Sequence, residues 1–63
     1  RAYEHLVRML GDQDHDVRFA CVVALGQMGD KRAIGPLSEA CHDKNGYVRT
    51  IAQEMVERLK GIQ

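Results

Sequence analysis

The side chains able to do chemistry are few. Cys21 and Cys41, with His5, His15 and His42, are the only thiol or imidazole ligands in the chain. A zinc site holds such ligands at short fixed spacings, and neither C-x-x-C nor H-x-x-x-H occurs, so no metal site is expected. Cys21 and Cys41 read instead as small hydrophobes of the core, and a disulfide is not expected in a cytosolic chain. The acid-base pairs Glu4-His5 and His42-Asp43 are sequence neighbours. Adjacent residues on a helix point in different directions, so both pairs read as solvated surface. No catalytic residue and no cofactor is assigned.

The elements that carry these groups are helices. Val17, Ala20, Cys21, Ala24, Leu25 and Met28 fall at i, i+3, i+4, i+7, i+8 and i+11, which lines them up as one stripe predicted to be buried. Asp14 precedes the stripe as an N-cap, Asp16 adds negative charge at the positive end of the helix dipole, and Gly29 can take the positive φ that ends a helix. A helix from about Asp14 to Met28 follows. A shift of 31 residues lays Val48, Ile51, Ala52, Met55, Val56 and Leu59 on the same six positions, and also Arg49 on Arg18, Asp43 on Asp12, Leu37 on Leu6, Ala33 on Ala2 and Arg32 on Arg1. Repeats of this length point to a solenoid whose units bury their faces on their neighbours.

Each unit reads as a helical hairpin. Tyr3, Leu6, Val7 and Leu10 give a short amphipathic helix from Ala2 to Leu10, ended by Gly11. In the second unit a helix from about Lys31 to Cys41 buries Ala33, Ile34, Leu37 and Cys41; because Pro36 lacks an N–H, its regular part should begin near Ile34 or bend after a loose first turn. Asn45 matches Asp14 as N-cap of a last helix from about Gly46 to Lys60, stopped by Gly61. The expected fold class is all-α, an α-α superhelix formed as a short right-handed α-solenoid of two antiparallel hairpins and four helices. Residues 1–63 form a single domain, repeat one at about 1–30 and repeat two at about 31–63.

Composition bounds the function. Sixty-three residues allow one small core, which hides only about 60% of the surface the unfolded chain exposes. Apolar residues make up 44%, while one proline and three aromatic residues argue against a disordered tract or a sheet-rich fold. Nine basic and nine acidic residues cancel, so broad attraction to nucleic acid or an anionic membrane is not expected. There is no secretory h-region and no apolar run of membrane-spanning length, so the expected location is cytoplasmic. Without an initiating Met, the chain reads as a piece of a longer solenoid.

Asp12-x-Asp14-x-x-Val17-Arg18-x-x-Cys21-x-x-Ala24-Leu25-Gly26-x-Met28-Gly29-Asp30-x-Arg32-Ala33-x-x-x-Leu37 resembles the HEAT-like repeat of the phycobilisome-lyase type, and Asp43, Val48, Arg49, Ala52 and Val56 continue it. The resemblance covers nearly the whole chain. It implies a stacked α-solenoid whose second helices line the concave face, with protein-protein scaffolding as the usual role. It also implies that Arg18 and Arg49 hydrogen-bond to loop carboxylates such as Asp12, Asp14 or Asp43 in a ladder between repeats, a structural role preferred to anion binding. In unit two, Glu57 replaces Gly26, Met55 replaces Ala24 and Lys60-Gly61 replaces Gly29-Asp30, departures that suit a terminal, capping repeat. Related hydroxylases carry His-Glu pairs at the start of each second helix; here those positions read Phe19-Ala20 and Thr50-Ile51. Nor do these two repeats contain the pigment pocket of a bilin lyase. An enzymatic reading would make the chain a non-catalytic fragment of such a protein.

Phe19, Val22 and Val23 lie off the predicted stripe, where unit two has Thr50, Gln53 and Glu54. They form either an outward apolar cluster for a protein partner or, for Val22 and Phe19, packing against the next repeat. Two hairpins leave stacking faces open, and at least about three repeats usually make a stable solenoid, so self-association or flanking repeats should cover the ends. A basic row of Arg1, Arg8, Lys31 and Arg32 is a weaker alternative for nucleic acid, because interspersed acids cancel its field.

Overall fold

A computed structural model describes residues 2–62. Four α-helices run in order: α1 (Ala2–Met9), α2 (His15–Met28), α3 (Ile34–Ala40) and α4 (Gly46–Lys60), with a 3-10 turn at Lys31–Ala33 leading into α3. There is no strand among the described residues. The helices pair as two hairpins, α1 with α2 and α3 with α4, and α4 packs most extensively on α2. This is the expected α-α superhelix.

Local chemistry sets the boundaries. Asp14, in extended conformation, accepts from the Asp16 N–H at 2.9 Å and opens α2. Asn45 does the same for α4, accepting from Tyr47 and Val48 at 2.9 and 3.1 Å. Gly29 closes α2 at φ +72, a conformation that costs glycine nothing because it has no Cβ. Asp30 then caps the 3-10 turn through the Arg32 N–H. The chain goes through that tight turn before α3 starts at Ile34, which puts Pro36 in the first turn of the helix, where its missing N–H has no intrahelical partner to lose. Gly61 ends α4 as expected. At φ −81 it forms no left-handed cap, and its N–H bonds back to Glu57 and Arg58 within the last turn.

One core joins both hairpins: Val22 and Leu25 from α2, Ala33 and Leu37 around α3, and Val48, Ala52, Val56 and Leu59 from α4. Leu25, Leu37 and Leu59 are wholly buried; a leucine moved from water into such a core contributes about 1.5–3 kcal/mol. Tyr3, Leu6 and Val7 of α1, with Leu10 just after it, reach this core half-buried, and α1 has no fully buried residue.

The stripe on α4 is buried as the spacing predicts, with Ile51 and Met55 half-covered. The stripe on α2 needs correction. Its buried residues are Arg18, Cys21, Val22, Leu25 and Gly26, whereas Ala20 is exposed, Val17 and Ala24 are half-buried, and Met28 is 46% exposed. The cause lies in the neighbours. The Arg18-Val22-Gly26 edge turns toward the second hairpin, whereas on the Val17-Ala20-Ala24-Met28 edge Ala20 and Met28 stay exposed and Val17 and Ala24 are only half-covered. Val22 is therefore core at 0% exposure, and its reading as part of an outward cluster is withdrawn.

Candidate protein-interaction site

The junction between the hairpins rests on Arg18. Its position, one residue after the stripe residue Val17, puts the guanidinium at the mouth of both inter-helix loops. Nε and Nη2 donate to the two carboxylate oxygens of Asp43 at 2.8 and 3.0 Å, a bidentate fork. Nη1 donates to the carbonyls of Asp12 and Gln13 at 2.7 and 3.1 Å. One side chain thus ties its own loop to the loop of the next hairpin. Both partners are largely hidden from solvent. The Asp43 hydrogen bond raises the Arg18 pKa against the opposing cost of desolvation, and the Arg18 hydrogen bond holds the Asp43 carboxyl below its ordinary range.

The other ladder residues divide by role. Arg49 Nη1 donates to the Asp43 carbonyl at 2.8 Å, repeating the Arg18-to-Asp12 bond 31 residues on. Asp12 contributes its carbonyl to Arg18, and its carboxylate accepts from the Asp14 N–H. The Asp14 carboxylate is occupied as an N-cap and makes no hydrogen bond to Arg18. Of the three carboxylates expected to serve the arginines, only that of Asp43 does so.

Beside this junction α2 and α4 run next to each other and form a shallow apolar groove lined by Phe19, Tyr47, Thr50, Ile51 and Glu54. Phe19 is 37% exposed and Tyr47 77%. Val23 is half-buried, one turn beyond Phe19 on the same side of α2. Phe19 and Val23 thus remain at the surface while Val22 does not. The spacing argument missed Tyr47 and assigned Ile51 wholly to the core. The available signal was Tyr47 itself, a large aromatic next to stripe residue Val48 and therefore turned away from the stripe.

The remaining candidates stay apart. Cys21 is buried, and desolvation pushes its thiol pKa up, away from the reactive thiolate. Cys41 is half-buried and neither cysteine is paired. Among the described residues no three His, Cys, Asp or Glu side chains converge. A second recess between α1 and α3, lined in part by Val7, Leu10, Pro36 and Ala40, is also open. In the basic row, Arg32 is bound to Asp30 at 2.6 Å and stacks on Tyr3 at 4.2 Å from the ring centre, and Arg1 lies outside the described residues. The two hairpins make a thin stack, with Cα extents of 33 × 25 × 15 Å.

No helix among the described residues is long and apolar enough to cross a membrane. A family model described as HEAT repeats matches residues 1–57. No curated protein matches the chain.

Proposed function

Because the chain belongs to the HEAT-repeat family, we propose that it is a protein-binding scaffold or adaptor module with no catalysis of its own, working in the cytoplasm. HEAT repeats commonly mediate protein-protein interaction. The observation that carries the reading is the exposed Phe19-Tyr47 groove between α2 and α4. Aromatic side chains bring large contact area at low entropy cost and are enriched at protein interfaces. The Arg18-Asp43 fork fixes the two hairpins to each other, so α2 and α4 present the groove as a preformed surface. A neutral net charge suits recognition by shape and apolar contact.

The motifs Val17-Arg18, Ala24-Leu25-Gly26 and Gly29-Asp30-x-Arg32-Ala33 support membership of the phycobilisome-lyase-type subgroup. The unpaired Cys21 and Cys41 fit a reducing compartment. Open stacking surface supports self-association or flanking repeats as an additional mode of contact.

A photo-crosslinking amino acid placed at Phe19, and separately at Gln53, tests the reading in cells. Position 19 should yield a discrete crosslinked protein that Tyr47→Asp abolishes, and position 53 should not. Equal crosslinking from both positions, or none from position 19, would sink the proposal.

A further inference from the structure

The groove between α2 and α4 holds an acidic group with no cation to neutralise it. Phe19, Tyr47, Thr50, Ile51 and Glu54 line one recess of about 290 Å³. On α4, Tyr47, Ile51 and Glu54 follow at i, i+4 and i+7, so an aromatic ring, an apolar floor and a carboxylate share one helix face. Glu54 is exposed and makes no hydrogen bond or ion pair among the described residues, not even with Arg58 one turn further on. Arg49, also on α4, is tied to the Asp43 carbonyl at 2.8 Å. Asp16, one turn before Phe19, puts a second exposed carboxylate on that side of α2, with His15 3.4 Å from it. A purely apolar partner would cover Glu54 and leave its charge unpaired, which weakens binding.

The same chain shows how such a set of groups holds an arginine. Arg32 lies over the Tyr3 ring with its guanidinium carbon 4.2 Å from the ring centre, and its Nη2 donates to Asp30 at 2.6 Å. The ring takes the flat face of the guanidinium while the carboxylate takes its N–H edge. Tyr47 and Glu54 bring the same two groups to the groove without the cation. The Tyr47 ring is 77% exposed, so its face is open to a group from outside. Lysine matches this pair less well, because its ammonium is a compact charge with no flat face to stack.

We propose that the groove recognises an arginine of a partner protein, carried beside an apolar residue: the guanidinium stacks on Tyr47 and donates to Glu54, and the apolar side chain rests on Phe19 and Ile51. This rests on the reading of the groove as a partner surface and names the chemistry of that partner. Phe19 and Ile51 supply contact area. Tyr47 and Glu54 supply the choice of residue, because a partner with an acid or a neutral group there leaves the carboxylate covered and unpaired.

A random peptide library displayed on phage, selected against the intact chain, tests this choice. Parallel selections use Glu54→Lys, Tyr47→Leu and Phe19→Asp, each checked for native helical circular dichroism. The parent should enrich peptides with arginine next to an aliphatic or aromatic residue, and arginine ahead of lysine. Glu54→Lys should exchange that arginine for aspartate or glutamate, and Tyr47→Leu should keep the apolar residue but lose the preference for arginine over lysine. A synthetic copy of an enriched peptide should bind Glu54→Gln roughly two- to fivefold more weakly than it binds the parent. Enriched apolar peptides without arginine, or an arginine preference that survives Glu54→Lys or Tyr47→Leu, would overturn the inference and leave the groove standing as a partner surface. No enriched peptide, or enrichment that Phe19→Asp leaves unchanged, would remove both.

Discussion

Arg18 shows how one residue can bind two repeats. Its fork fixes Asp43, and its third nitrogen holds the carbonyls of its own loop. Lysine could supply the charge but not this geometry. The pairing has a pH signature. Asp43 has a folded pKa lowered below its ordinary value, chiefly by the Arg18 hydrogen bond. Its contribution is therefore fully present above the unfolded value of about 3.9 and is lost as pH falls through the lower folded value. Urea midpoints measured from neutral to strongly acidic pH should fall along that limb, and Asp43→Asn should lower the neutral midpoint and flatten the limb. An unchanged acid limb in Asp43→Asn would assign the dependence to other carboxylates. The ladder was legible in the repeated Val-Arg pair and the acidic loops. The choice of Asp43 was only half legible: Asp14 was readable as an N-cap, but that the Asp43 carboxylate faces the guanidinium depends on how the two hairpins pack, which spacing does not reveal.

At the scale of the helices, period and punctuation were readable. Asp14, Gly29, Pro36 and Asn45 each act where their backbone chemistry predicts. What periodicity cannot supply is which neighbour covers which edge. It put Met28 inside and left Val22 open between an outward cluster and packing on the next repeat; Met28 is exposed and Val22 lies in the core. The close approach of α2 and α4 at Gly26 is a direct test of that packing. Alanine at an exposed helical site gains up to about 1 kcal/mol over glycine, but here its Cβ would overlap Met55 down to that residue's own Cβ. Gly26→Ala should therefore destabilise by about 1–3 kcal/mol, the usual cost of overpacking. In a Met55→Ala background the same substitution should cost clearly less, because most of the obstructing atoms are gone. Chemical denaturation of the four proteins of this double-mutant cycle reads the coupling directly, and additive effects would mean that the two helices are not in contact there.

For the molecule as a whole, two hairpins share one core and are held in register by an inter-loop fork, leaving a groove on the α2-α4 side and an apolar edge at the α1-α2 end. The sequence made the repeat and its family legible because both depend on local pattern. The groove was only half legible, through Phe19, because Tyr47 and Ile51 join it across 28 or more residues of chain. The central claim is that this groove is a surface for a partner and not part of the fold. It is tested most directly by the double variant Phe19→Asp, Tyr47→Asp, with urea unfolding followed by circular dichroism beside crosslinking from position 51 in the same cells. The account predicts native helicity, a midpoint close to that of the parent, and loss of the crosslinked partner. Collapse of the helical signal, or a partner still captured by the folded variant, would contradict it.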